Sequence, residues 1–139
     1  MALLSRFLLA LSASLCIARA CDCSAPTVNE AKKDAQIVFR GTITAFWDSG
    51  NRERFAVFHV SRVWKGKVPQ TFEMLAFEES VACLEFWPQF LSVGNDLLVY
   101  AFPLGSPAAY FTSICTRTAL AKDSKDFEKL GRGRAPDST

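Results

Sequence analysis

Cys21, Asp22 and Cys23 form a C-x-C tripeptide directly after a segment that reads as a removable leader. Cleavage there leaves Cys21 as the first residue, with a free α-amine. Such an amine titrates at about 7.7–8.0, so its neutral, nitrogen-donating form is within reach near neutral pH. The thiols of Cys21 and Cys23 have two distant counterparts, Cys83 and Cys115. An exported chain meets an oxidising compartment, and four cysteines remain after the leader. That even number reads as two disulfides rather than a metal-binding or redox C-x-C, with three connectivities open. A processed terminus tied down by cysteines is unusual, because chain ends normally fray.

Other chemically capable residues are few. His59 is the only histidine, which leaves no nucleophilic triad and no histidine-based zinc site to assemble, so it reads as a strand residue. With no nucleophile–base pair in sight, no enzyme is expected. Glu78, Glu79 and Glu85 lie near Cys83 and read as solvated acids or part of a contact surface. The formal charge of +2 largely disappears once Arg6 and Arg19 leave with the leader. A basic stripe with interleaved aromatics is missing, so neither nucleic acid nor an anionic membrane is expected as a partner.

The leader, residues 1–20, has Arg6, an apolar run from Phe7 to Leu11 and a closing Ala18-Arg19-Ala20. A basic start, an apolar middle and an A-x-A end make a secretory signal peptide. The run is too short for a membrane span of about 20 residues. Residues 21–131 are expected to form one domain, and the polar residues 132–139 a disordered tail.

The tip needs a scaffold, and the rest of the chain predicts one. Thr27 and Glu30 fit a capping box for a short helix from Thr27 to about Lys33. Gln36 to Trp47 is β-branched and aromatic, with a bulge or bend expected at Gly41. A turn at Asp48–Asn51 leads into a second strand, Arg54 to Trp64. A third runs from about Gln70 to Phe77. Glu78 to Asn95 is a long irregular stretch, and such loops are often functional. Asp96 to Phe102 is the clearest buried strand, Pro103 to Pro107 a loop, and Tyr110 to Ile114 a fifth strand. A second helix, about Ser124 to Leu130, is expected to be capped by Asp123 or Ser124 and stopped by Gly131. The fold class is therefore mainly β, a five-stranded OB-like β-barrel with one short helix before the strands and one after.

Several stretches together carry a family resemblance: the signal peptide ending at C-x-C, a proline and short helix, Asp34 to Gly41, Val63-Trp64-Lys65-Gly66, Gly94 to Tyr100, and Ser113-Ile114-Cys115-Thr116-Arg117-Thr118. They resemble the netrin-like domain, in particular the N-terminal domain of the tissue inhibitors of metalloproteinases, over roughly Cys21 to Leu130.

The resemblance implies an OB-like barrel with disulfides Cys21–Cys83 and Cys23–Cys115. It implies a secreted (or, in a bacterium, periplasmic) monomeric inhibitor whose partner is a zinc metalloprotease. The Cys21 amine and carbonyl would chelate the zinc of that protease, so the chain needs no cofactor of its own. Asp22, Cys23, Ser24 and the neighbourhood of Cys83 would complete the inhibitory contact. Asp22 departs from the family's animal members, which carry a small uncharged residue there. A carboxylate entering an apolar specificity pocket weakens binding, whereas a basic pocket would select for it. Two further departures, no third disulfide and no cysteine-rich second domain, predict a minimal single-domain version. The alternative is a netrin-like binding or structural module without inhibitory activity.

Overall fold

The structure, a computed structural model, describes residues 23–51, 53–76, 90–105, 109–113 and 115–138. Cys21, Asp22 and Cys83 lie outside them, as do Glu78, Glu79, Glu85 and the leader.

The first element is α1, Val28–Asp34, and its start is the expected capping box. The Glu30 N–H donates to Thr27 Oγ1 at 3.2 Å, and the Thr27 N–H donates to the Glu30 carboxylate at 2.8 Å. At its other end the Lys65 ammonium donates to the carbonyls of Lys32 and Lys33, 2.8 Å each. A cation there complements the negative end of the helix dipole.

Strands β1 (Ile37–Asp48), β2 (Arg54–Lys65), β3 (Thr71–Leu75), β4 (Asp96–Leu104) and β5 (Ala109–Phe111) follow, all paired antiparallel in the order β3-β2-β1-β4-β5. The Phe72 ring of β3 meets the Tyr110 ring of β5 at 5.5 Å, so the two ends of this order curl towards each other. The result is a nearly closed five-stranded barrel with two short helices. A two-residue strand, β6 (Ala119–Leu120), pairs with β4 at Leu97 and Leu98.

The barrel has an inner and an outer apolar layer. Inside lie Ile37, Phe39, Ile43, Phe58, Val60, Phe72, Met74, Leu97 and Val99. Phe39 sits edge-on to both Phe58 and Phe72, with ring centroids 5.4 Å apart in each pair. Outside, Val38, Leu98 and Tyr100 are covered by Ala31 and Ala35 at α1. Covering both faces explains the uninterrupted apolar runs of β1 and β4, where a one-sided sheet would alternate. The register of β1 against β2 slips at Arg40/Gly41. A Cβ at Gly41 would stand 3.1 Å from the His59 carbonyl and 3.3 Å from the Phe39 and Phe58 rings, so the expected bulge falls where only glycine fits comfortably.

Four expectations need correction. β4 continues through Pro103 to Leu104, where a loop was expected; Pro103 lies opposite Tyr110 near the strand end, where a missing N–H is tolerated. β5 is short because Thr112 leaves the ladder, its hydroxyl bonding to the Tyr100 carbonyl at 2.7 Å. The last helix is only α2, Phe127–Leu130, preceded by a 3₁₀ turn at Ala121–Asp123. Its N-cap is Asp126, whose carboxylate makes no cap bond because other partners occupy it.

The fourth correction is the tail. Residues 132–138, expected to be disordered, are hydrogen-bonded to β2 and the segment after it. Val63 and Arg134 exchange backbone bonds of 2.9 and 2.8 Å. Val68 and Asp137 do the same through a backbone bond and a carboxylate bond, both 2.8 Å. Arg134 also reaches the Gly66 carbonyl. The reason is an unfilled edge: β3 pairs with β2 only over Phe55–His59, and the tail satisfies backbone groups beyond. Composition registers the tail's polarity but not this vacancy. Gly133 has a φ of 66°, and a Cβ there would lie 2.9 Å from the Trp64 ring. Replacing Gly133 with Ala should therefore cost about 1–3 kcal/mol of stability, seen as a lower urea midpoint. An unchanged midpoint would mean that the tail does not dock.

Candidate functional site

The site is built where the N-terminal segment crosses the outer face of the barrel. Cys23 is half-buried and disulfide-bonded to Cys115, with Cα atoms 5.0 Å apart. Of the two expected bridges this one is present; the partners of the other, Cys21 and Cys83, lie outside the described residues. Ser24 and Ala25 are exposed, and Pro26 leads into the cap of α1. The stretch Cys23–Pro26 forms one wall of an open concavity of about 500 Å³. The opposite walls are the turn from Cys115 to Ala119 and the segment Asp123–Asp126.

Arg117 joins these walls. Its Nη1 donates to the Pro26 carbonyl at 3.0 Å. Its Nε and Nη2 donate to the two carboxylate oxygens of Asp126 at 2.8 and 2.5 Å, a fork-to-fork pair. Asp126 also accepts from the Tyr100 hydroxyl at 2.8 Å. Tyr100 is buried in the middle of β4. Its N–H donates to Thr118 Oγ1 at 2.9 Å, and its carbonyl accepts from Thr112 Oγ1. The hydroxyls of Thr112, Thr116 and Thr118 stand 2.8–2.9 Å from one another. Both strand-side groups of Tyr100 and the turn after Cys115 are thus fastened together.

The strands also fix Asp126 from behind. The adjoining Phe127 ring lies 5.5 Å from Trp64 and 5.3 Å from the Arg40 guanidinium. Arg40 is itself held by Asp96, with a shortest contact of 2.6 Å. Trp64 Nε1 donates to the Gly131 carbonyl at 2.9 Å, just past the end of α2.

The electrostatics make this a static clamp. Burial alone would push the Asp126 carboxyl up, but the hydrogen bonds from Arg117 and Tyr100 outweigh it and hold the carboxyl below its ordinary 3.8. Burial, then the bond to Asp126, pushes the Tyr100 phenol above its ordinary 10.0. The Asp126 bond likewise raises Arg117. None of the three changes charge between those limits, so the clamp keeps one charge state across the physiological range.

Of the expected contact residues, Cys23 and Ser24 lie together on the described part of the tip. His59 is exposed on β2, opposite Thr42 and Thr71, as a strand residue. Among the described residues, no group of three or more His, Cys, Asp and Glu side chains converges to hold a metal. Sequence reasoning missed Arg117 and Asp126 as parts of the site and placed Tyr100 only within a buried strand. A signal was present: Arg117 stands two residues after a cysteine expected to hold the tip.

No protein-family model matches the chain, and no curated protein matches it.

The clamp has a pH signature. A carboxyl whose folded pKa is depressed contributes stability above its unfolded value, and that contribution is lost as pH falls through the folded value. Asp126→Asn should therefore lower stability near neutral pH by about 2 kcal/mol, discounted from a fully buried pair because Arg117 is 35% exposed. It should also flatten the acid loss of stability that begins near 3.8. Urea denaturation of both proteins from about pH 7 to pH 2 measures the difference, in which the similarly depressed Asp137 cancels.

Proposed function

We propose that the chain is a secreted, non-enzymatic inhibitor of zinc metalloproteases that presents the backbone of Cys21 to the zinc of its target. The carrying observation is the Cys23–Cys115 disulfide, which ties the third residue of the processed chain to the barrel. Directly beside it, Ser24 and Ala25 stand exposed. The strand order β3-β2-β1-β4-β5, with its ends curled together, suits the OB-like barrel of the netrin-like resemblance. A disulfide suits an oxidising compartment, either the cell exterior or a periplasm. Among the described residues no helix is long and apolar enough to cross a membrane.

In this reading the Cys21 amine nitrogen and carbonyl oxygen together take the zinc position that hydrolysis needs for water. The chain brings no cofactor and acts as a monomer. Its Cys21 thiol, paired with Cys83, holds the amine in place, which reduces the ordering cost of binding. Asp22 enters the specificity pocket and directs the inhibitor towards a protease whose pocket is basic.

Two proteins separate this reading from a netrin-like binding module: the chain beginning at Cys21, and a twin with one added alanine before it. The first should inhibit at least one member of a metalloprotease panel, and the twin should be at least about 100-fold weaker, equivalent to about 2.7 kcal/mol. Equal inhibition by both, or none by either, would rule out the plug.

A further inference from the structure

We propose that Arg117 is the positioning residue of the N-terminal tip, fixing the direction in which the segment from Cys23 to Pro26 leaves the barrel. A single disulfide joins two segments through rotatable bonds, so it fixes a point and leaves a direction open. The second point here is the Pro26 carbonyl, held by Arg117 Nη1 at 3.0 Å. Cys115 and Arg117 lie two residues apart on one turn, and that turn therefore grips both ends of the exposed Ser24-Ala25 pair.

The turn is rigid enough to serve as a reference. The three threonine hydroxyls bind one another and both backbone groups of Tyr100, a residue with no exposed surface. The guanidinium has its other two donating nitrogens committed to Asp126, so it cannot swing away without unpairing a buried carboxylate. A lysine in its place could meet Asp126 as a point charge, but it lacks the planar fork that serves Asp126 and Pro26 together. Positioning and stability are therefore separable by substitution.

The test is ¹⁵N relaxation of the Ser24 and Ala25 amides in the secreted, disulfide-bonded chain. The wild type should give order parameters near about 0.85, and Arg117→Lys values below about 0.6, with barrel amides unchanged. Arg117→Gln is the second variant should the lysine protein fail to fold. Val99→Ala, a cavity in the barrel interior, is the control: it should lower the unfolding midpoint and leave the tip rigid. Tip amides that stay rigid in both Arg117 variants, or loosen equally in the Val99→Ala control, would overturn the inference.

A second arm rests on the inhibitor reading: against any metalloprotease the wild type inhibits, Arg117→Lys should dissociate at least about tenfold faster. Unchanged dissociation would count against the positioning role. A wild type that inhibits nothing would defeat the inhibitor reading, while relaxation would still decide the role of Arg117.

Discussion

The carboxylate of Asp126 is the constraint on which the site depends. It is the only buried carboxylate among the described residues. Taking an ionised carboxyl out of water costs several kcal/mol unless partners replace the lost solvation. Arg117 and Tyr100 are those partners, and each is fixed by a different part of the chain. Tyr100 belongs to the buried strand β4, while Arg117 lies on the turn after Cys115. Any motion that parts the turn from the start of α2 would strand the charge. The two elements and the strand beneath them consequently behave as one body.

That body holds the N-terminal segment from Cys23 to Pro26, while the edge of β2 and the segment after it hold residues 131–137. The N-terminal segment is fastened at Cys23 and Pro26. The C-terminal segment is fastened at Gly131, Arg134 and Asp137. Termini left to themselves fray. Here each segment supplies something the barrel lacks: the tail fills the edge of β2 beyond β3, and the Pro26 carbonyl accepts a hydrogen bond from Arg117 Nη1. A segment held this way presents Ser24 and Ala25 without a large ordering penalty on binding, which is the property that the proposed inhibitory terminus needs.

The local features were legible in the sequence itself, and most of the long-range ones were not. The capping box depends on Thr27 and Glu30, three residues apart, and is visible in any window. The β1 and β2 runs declared themselves by β-branched and aromatic content, and Gly41 marked its bulge. The Arg117–Pro26 bond spans 91 residues, beyond any pattern of spacing. The Cys23–Cys115 bridge spans 92, and it was expected only through the family resemblance, because four cysteines alone leave three connectivities open. Asp126 lies inside the stretch expected as the last helix, Ser124 to Leu130, and only the fold brings Arg117 to it. The tail misled in another way: polar composition argues for disorder, but backbone groups pair without regard to side-chain polarity.

The central claim is that the backbone of Cys21 binds the zinc of a target protease. Cobalt substituted for that zinc reports its ligands through its visible absorption. Titrating the chain beginning at Cys21 into a cobalt-substituted metalloprotease that it inhibits should change the cobalt spectrum and saturate at one equivalent. Inhibition that saturates while the cobalt spectrum stays that of the free protease would contradict the account.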